Sequence, residues 1–180
     1  MKDFIQKAFK MAKQERSKHE QEISDAYKFT RPNRDIYRQD TTNTDRTRIY
    51  DSTAPDGVQN LVSTILNLLI PQNQQWATLS IREDLKENIA SDFKRRLDIA
   101  NRRVFKTIKD SNFYVAASEA LTDSIISGCG CLGMYEDDKL NFTAIPSYQL
   151  YFIDNYKHEI DTVFREHELQ GQYILENYGD

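Results

Sequence analysis

The stretch from residue 49 to residue 79, IYDSTAPDGVQNLVSTILNLLIPQNQQWATL, constrains the fold more than any other part of this sequence. Asp51 and the two hydroxyl residues after it offer N-cap side chains, and Pro55 suits a first helical turn, where a missing N–H costs nothing. Apolar residues then cover more than one helix face, and Pro71 ends the helix because proline cannot continue it. The pattern predicts a helix from about Asp51 to Ile70 that sees little water.

The only tryptophan of the chain, Trp76, follows this helix. We expect Trp76 to be largely buried against the helix, because that apolar surface lies beside it. The next residues, Ala77–Ile81, predict a short strand.

Three further helices are predicted before residue 128. A highly charged helix occupies residues 1–30 and ends at Arg31-Pro32, since a residue before proline disfavours helix. A second long helix runs from Asp84 to Lys109, and a third runs from residue 113 to 127 with Gly128 as its C-cap. Apolar residues of the second long helix recur every three or four positions and predict one buried stripe: Leu85, Ile89, Phe93, Leu97, Ala100, Val104 and Ile108.

Beyond Gly128 the hydrophobic period changes to two, which is typical of strands. Leu132–Glu136 and Leu140–Ile145 predict a hairpin with its turn at Asp137-Asp138, and Tyr148–Ile153 and Ile160–Glu168 predict two more strands. A short helix, Gln170–Tyr178, follows. We therefore predict an α+β fold in which N-terminal long helices pack on a mainly antiparallel sheet.

The domain organisation follows from these elements: a charged helix over residues 1–30, an exposed Arg-rich loop over 31–50, a helical core over 51–127 and an acidic β-rich part over 128–180. The last two belong to one compact domain. Residues 1–110 carry 21 Lys/Arg and 16 Asp/Glu, whereas residues 111–180 carry 3 and 12, so the net charges are +5 and −9. Opposed charge of this kind serves either electrostatic association or plain solvation of both surfaces.

Composition excludes several classes of protein. The N-terminus is charged throughout and lacks the apolar core of a signal peptide. The longest apolar run is interrupted by polar residues and is too short to span a bilayer, which takes about 20 apolar residues. Cys129 and Cys131 lie two residues apart, which makes a disulfide framework implausible and suits a reducing cytoplasm.

The sequence offers weak candidates for chemistry. The run from Gly128 through Gly130 to Gly133 matches a dinucleotide-binding pattern, but that pattern needs a strand before the glycines and a helix after them, and here the order is inverted. Two thiols fall short of the four ligands of a zinc site. We expect no catalytic residues, no cofactor and no metal.

Two basic segments are candidate contacts with DNA or with another subunit. The first is the loop, whose arginines have Tyr37 and Tyr50 interleaved among them, and arginine with aromatic residues can bind phosphates and stack on bases: Arg31, Arg34, Arg38, Arg46 and Arg48. The second is the polar face of the second long helix: Arg95, Arg102, Lys106 and Lys109. Two alternatives stay open for the loop, a protein contact or solvated surface and a nucleic-acid-binding regulatory role.

Six motifs in order resemble the head-to-tail connector, or portal, proteins of short-tailed bacteriophages. They are Phe29-Thr-Arg31-Pro32, Ile49-Tyr50-Asp51-Ser52-Thr53, the apolar helix with Pro71 and Trp76, Ser118-Glu119-Ala120 through Gly128-Cys-Gly130-Cys-Leu132, Ala144-Ile145-Pro146 with Tyr148–Phe152, and Asp154 with Ile160-Asp161 and Val163-Phe164-Arg165. The family often has Gly-Thr-Gly where this chain has Gly-Cys-Gly. The resemblance assigns structural roles to Asp51, Pro71, Trp76, Gly128, Gly130 and Pro146.

The resemblance implies a dodecameric ring at one capsid vertex, through which DNA is packaged and ejected and to which the tail attaches. The implied partners are other copies of the chain, capsid, scaffold, tail-adaptor and terminase proteins, and double-stranded DNA, without a membrane. The protein would assemble in the host cytoplasm and reside in the virion. Members of the family continue into stem and clip regions, so this chain corresponds to the N-terminal, wing-like part.

A ring needs two different surfaces that meet on neighbouring subunits. We therefore expect the basic face of the second long helix, or the Arg31–Arg48 loop, to lie near acidic residues of a neighbour. The candidates are Glu136, Asp137, Asp138, Glu166 and Glu168.

Overall fold

A computed structural model of the protein describes residues 2–31, 51–81, 91–136 and 139–178. Within these ranges the fold is α+β, as predicted, with six α-helices and four strands. In chain order the elements are α1 (Lys2–Ser17), α2 (Glu20–Thr30), α3 (Thr53–Leu69), α4 (Ser91–Asp110), α5 (Phe113–Ser127), β1 (Cys131–Glu136), β2 (Leu140–Ile145), a 3₁₀ turn (Ser147–Gln149), β3 (Leu150–Asp154), β4 (Ile160–Arg165) and α6 (Gly171–Tyr178).

The N-terminal segment forms two helices, so the prediction of one helix was wrong at Lys18-His19. Lys18 and His19 donate their backbone N–H groups to carbonyls three residues earlier, which tightens the last turn of α1 and ends it. The break lets Ala12 of α1 and Tyr27 of α2 both be buried. At the end of α2, Arg31 is the C-cap, in agreement with the predicted end of the segment.

Helix α3 begins and ends close to the predicted positions, but its burial was predicted wrongly. Ser52 is the N-cap, and a carboxylate oxygen of Asp51 accepts the Thr53 N–H at 3.0 Å. Val62 is the one buried residue of the helix among those described, while Leu68 is 76% and Leu69 66% exposed. The described neighbours of α3, chiefly α5 and α2, cover one face, whereas the apolar residues of α3 occupy more than one.

Trp76 is half-buried, whereas we expected it to be largely buried, and its aromatic contacts lie on α4 and α5. Its contact with α3 stays a prediction, because α3 has no aromatic residue. Its indole stacks on Phe113 at 5.8 Å and meets the edge of Phe105 at 5.4 Å between ring centroids. The segment after it forms no strand. Instead, the buried side-chain amide of Asn101 accepts the Leu79 N–H at 2.7 Å and donates to the Leu79 carbonyl at 3.2 Å.

Helix α5 forms the centre of the core, because it packs against α2, α3, α4 and both strands of the first hairpin. Ala116 and Ala120 are buried at these contacts, and their small side chains allow close approach. The predicted C-cap is confirmed: Gly128 adopts φ 76°, in the left-handed region that glycine enters without steric cost.

The strands form two separate two-stranded sheets, whereas a single sheet was expected. β1 pairs antiparallel with β2, and β3 pairs antiparallel with β4. Between them Pro146 (φ −60°, ψ 138°) opens the 3₁₀ turn. Proline has no N–H to donate to a ladder, so β2 cannot continue directly into a shared sheet.

Candidate assembly surfaces

Three polar side chains meet inside the protein where α2, α5 and the 3₁₀ turn converge. The Tyr27 hydroxyl lies 2.8 Å from a carboxylate oxygen of Asp123 and 3.0 Å from the Ser147 hydroxyl. All three residues are buried. Burial is the main cause that raises the pKa of Tyr27 to about 12, and the negative charge of Asp123 adds to it. The phenol is therefore neutral near neutral pH and available as a donor.

Arg16 ties α1 to the second hairpin. Its guanidinium donates to the backbone carbonyls of Ser147 and Leu150 and forms an ion pair with Glu20 at 2.9 Å. The guanidinium also lies over the Tyr151 ring, 5.5 Å from its centroid. Nη1 donates to both carbonyls, while Nε on another edge of the same planar group pairs with Glu20.

The outer surface of the second hairpin carries a further link to α1. Lys13 pairs with Glu166 at 3.1 Å, and the Tyr151 hydroxyl donates to the same carboxylate at 2.8 Å. The Tyr151 hydrogen bond is the main cause that lowers the pKa of Glu166, and Lys13 contributes further. Glu166, which we expected to face a neighbouring subunit, is thus engaged within its own chain.

Helix α4 presents the basic face that its sequence predicts. Arg95, Arg102, Lys106 and Lys109 are all exposed, and they lie on one side of the helix by their spacing. The predicted stripe is confirmed in part, because Leu97, Ala100 and Ile108 are half-buried. Asn101 and Phe105, which were not predicted, also face inward. Phe93 and Val104 were expected inside and are 51% and 42% exposed, because the two hydrogen bonds of Asn101 to Leu79 turn that residue inward.

Most of the predicted Arg-rich loop lies outside the described residues. Residues 32–50 are not described, and they include Arg34, Arg38, Arg46 and Arg48. The start of the predicted second long helix, within residues 82–90, and the predicted Asp137-Asp138 turn also lie outside the described residues. Arg31 is described: it is half-buried, and its N–H donates to the Tyr27 carbonyl at 2.8 Å.

An apolar groove opens between α3, α5 and the start of β1. It has a volume of about 280 Å³, and its lining includes Ile65 and Leu69 of α3, Leu121 of α5 and Leu132 of β1. Gly130 makes this arrangement possible, since a Cβ there would lie 2.3 Å from the backbone oxygen of Ala120. The glycines at 128, 130 and 133 thus follow helix α5 and lead into strand β1. A dinucleotide-binding site has the opposite order, with a strand before the glycines and a helix after them.

The two cysteines and the other metal-ligating types of residue are also candidate parts of a chemical site. Cys129 and Cys131 are free thiols, and burial together with the neighbouring Cys131 raises the pKa of Cys129. Within residues 2–31, 51–81, 91–136 and 139–178, no three acidic, histidine or cysteine side chains are grouped as a metal site would require. No helix in those ranges is long and apolar enough to cross a membrane.

Sequence reasoning missed the residues that link the elements most directly: Arg16, Tyr27, Asn101, Asn112 and Asp123. One signal was present. Asp123 interrupts the apolar run of α5, and Asn101 interrupts that of α4. A polar residue on an inward face must find a partner when buried, but the sequence does not say which.

Comparison with known families adds a match over nearly the whole chain. The sequence model of the family described as bacteriophage head to tail connecting protein matches residues 2–180. No curated protein matches the chain.

Proposed function

Because this chain belongs to the family of bacteriophage head-to-tail connecting proteins, we propose that it is a subunit of the ring at one capsid vertex. DNA is packaged and ejected through this ring, and the tail attaches to it. The match over residues 2–180 carries the proposal. The family is a structural one, and its connecting role implies contacts with capsid and tail proteins and a place in the virion.

The distribution of apolar surface supports an assembling subunit. Twelve residues are buried among those that the structure describes, which is a small core for this length. Large apolar side chains are exposed on α1, α3, β1, β4 and α6, including Phe4 at 75% and Met134 at 68%. Part of this surface is contiguous, since the exposed residues Leu69 and Leu132 line one apolar groove. A contiguous apolar patch favours coverage by a neighbour.

The charge distribution supports a head-to-tail contact. In a ring each subunit meets its neighbour through two different surfaces, and complementary charge fixes the register of such a contact more than its affinity. We propose that the α4 basic face, formed by Arg95, Arg102, Lys106 and Lys109, lies near acidic residues of the next subunit. Exposed Glu168 is a candidate on that subunit, whereas Glu166 already pairs with Lys13.

The same basic face is also suited to double-stranded DNA. Lys and Arg on one side of a helix neutralise phosphates without reading sequence, which gives affinity that falls steeply with salt. Scaffold, tail-adaptor and terminase proteins complete the proposed partners of the ring.

The location of the protein in the particle tests the proposal. Antibodies against the purified chain should label a single vertex of phage particles made by cells that carry its gene. Labelling spread over the capsid surface, or particles that lack the protein, would contradict a connector role.

Charge reversal tests the role of the α4 basic face. Arg102→Glu, Lys106→Glu and Lys109→Glu together should impair ring formation most at low salt. The matched control reverses Lys94, Arg96 and Arg103, which are equally exposed but lie on other sides of the same helix. If both triple variants form rings equally well at every salt concentration, the charged face serves solvation alone. Salt-dependent DNA binding without rings would favour a nucleic-acid-binding regulatory protein.

A further inference from the structure

Among the described residues, each of the two hairpins has one strand edge that is occupied by a side chain from elsewhere in the protein and one edge that is open. An edge strand presents unpaired N–H and C=O groups and can pair with another chain. An edge that no side chain covers is therefore a candidate contact with another chain.

The outer edge of β2 is closed by Asn112. Its side-chain amide donates to the Phe142 carbonyl at 2.7 Å and accepts the Phe142 N–H at 2.8 Å. Both backbone groups of Phe142 therefore point away from β1. Since Phe142 pairs with Met134, these two form a non-hydrogen-bonded pair, and the backbone groups of Met134 point away from β2 as well.

The outer edge of β3 is closed at its start by Arg16. The guanidinium donates to the Leu150 carbonyl at 2.7 Å, and the Leu150 N–H donates to Ser147. The carbonyl and N–H of Leu150 thus point away from β4. Leu150 and Arg165 therefore form a non-hydrogen-bonded pair, and pairs of this kind recur every second residue of an antiparallel ladder. Phe152 and Val163 form the next such pair, so the N–H and C=O of Val163 point away from β3.

The outer edge of β1 is open among the described residues, since the sheet has two strands and no further backbone hydrogen bond reaches Leu132 or Met134. This edge runs beside the apolar groove, because Leu132 lines the groove. A strand added to β1 would place alternate side chains over apolar residues of α3 and α5. Strand addition of this kind gains affinity from backbone hydrogen bonds and specificity from the groove.

The outer edge of β4 is also open in the described part of the chain, since its sheet has two strands and no further backbone hydrogen bond reaches Val163. Both β1 and β4 have six residues. The exposed side chains of Ile160 and Val163 are apolar, so β4 can fill a groove that offers no charged partner. One open edge on each of two different strands is what a head-to-tail contact between copies needs.

We infer that β4 of one copy pairs with the open edge of β1 on the next copy and covers the apolar groove between α3 and α5. The inference deepens the proposed connector role and rests on it. The sheets of neighbouring subunits then become continuous, and each copy uses its two open edges once.

The test blocks each edge with one proline. In Met134→Pro and Val163→Pro the lost N–H points outward, so the hairpin keeps its own hydrogen bonds. Each variant alone should have a dissociation constant for self-association at least about tenfold higher than that of wild type. At concentrations where wild type associates, each variant should therefore sediment as a monomer in analytical ultracentrifugation. A mixture of the two should form a 1:1 complex, because one supplies an intact β4 edge and the other an intact β1 edge.

Matched controls keep the edge donor. Met134→Ala and Val163→Ala remove the same side chains but retain the N–H groups, and they should associate more tightly than the proline variants. Circular dichroism and thermal unfolding should show that all four variants fold. Should a proline variant fail to fold, N-methylation at residue 134 or 163 by chemical synthesis of the chain removes the same hydrogen and decides the matter.

Three results would overturn the inference. The wild-type chain could stay monomeric up to roughly 1 mM, the Val163→Pro variant could dimerise alone, which indicates β1 pairing with β1, or the mixture could remain monomeric. The proline test and the vertex-labelling test can fail independently of each other. Vertex labelling without edge pairing would refute only this inference, and edge pairing by a protein absent from particles would refute only the connector role.

Discussion

The Tyr27 hydroxyl donates a 2.8 Å hydrogen bond to the carboxylate of Asp123, which joins α2 to the centre of α5 across 96 residues of sequence. Asp123 is fully buried. Burial of a carboxylate is costly unless donors surround it, so the stability of this junction depends on the phenol and its neighbours.

Replacing Tyr27 by Phe should lower the free energy of unfolding by about 1–3 kcal/mol, because the buried carboxylate loses a donor. Urea unfolding measures the change. Tyr156→Phe serves as the control and should stay within about 0.5 kcal/mol of wild type, since Tyr156 is 87% exposed. Equal effects of the two variants would show that the hydroxyl of Tyr27 does not stabilise the fold.

The same tyrosine predicts a pH dependence. Its pKa rises from 10.0 to about 12 on folding, mainly through burial. The folded state therefore holds the phenolic proton more tightly, and this stabilisation is complete below pH 10 and lost as the pH rises to about 12. The difference in unfolding free energy between wild type and Tyr27→Phe should be constant from neutral pH to about pH 9 and shrink above pH 10. A difference that grew with pH would contradict the raised pKa.

Two glycine-to-alanine changes should have opposite effects. A Cβ at Gly130 would lie 2.3 Å from the Ala120 oxygen, so Gly130→Ala should destabilise by about 1–3 kcal/mol or more. Gly57 lies within α3 with open space around it, so Gly57→Ala should stabilise by about 0.5–1 kcal/mol. Thermal unfolding of both variants measures this. A Gly130→Ala variant as stable as wild type or more stable would refute the close approach at Gly130.

Removing the Asn112 amide should expose the β2 edge. We expect Asn112→Ala to speed amide hydrogen exchange at Phe142 more than at Asn141, because the Phe142 N–H loses its acceptor while the Asn141 N–H stays in the ladder. Asn141→Ala is the matched control, since Asn141 is exposed. Unchanged exchange at Phe142 would mean that the amide of Asn112 does not protect the edge.

Local signals in the sequence predicted the elements well. Gly128 ended α5 because a left-handed C-cap favours glycine, and the alternation in residues 140–145 predicted the strand β2. These features depend on a few neighbouring residues, so a sequence reader can find them.

Features that depend on distant partners were not predictable in the same way. The break between α1 and α2 has no proline or glycine, and it follows from contacts of Arg16 and Tyr27 with residues more than 90 positions away. Residues 77–81 were expected to form a strand and do not. The side-chain amide of Asn101 binds both the N–H and the C=O of Leu79, which a neighbouring strand would otherwise bind. The exposed basic face of α4 could be predicted from its charge pattern, whereas the outer edges of β1 and β4 could not, because they depend on which strands pair.

The contacts of α1 have a consequence for synthesis of the chain. Lys13 and Arg16 bind Glu166 and Leu150, which lie 153 and 134 residues later. At about 5–20 residues per second on the ribosome, roughly 7–30 s separate the emergence of α1 from that of its binding surface. During this interval the face of α1 that contacts Leu150 and Glu166 has no native partner there, so this helix docks long after it is made, and a nascent chain leaves that face accessible to chaperones.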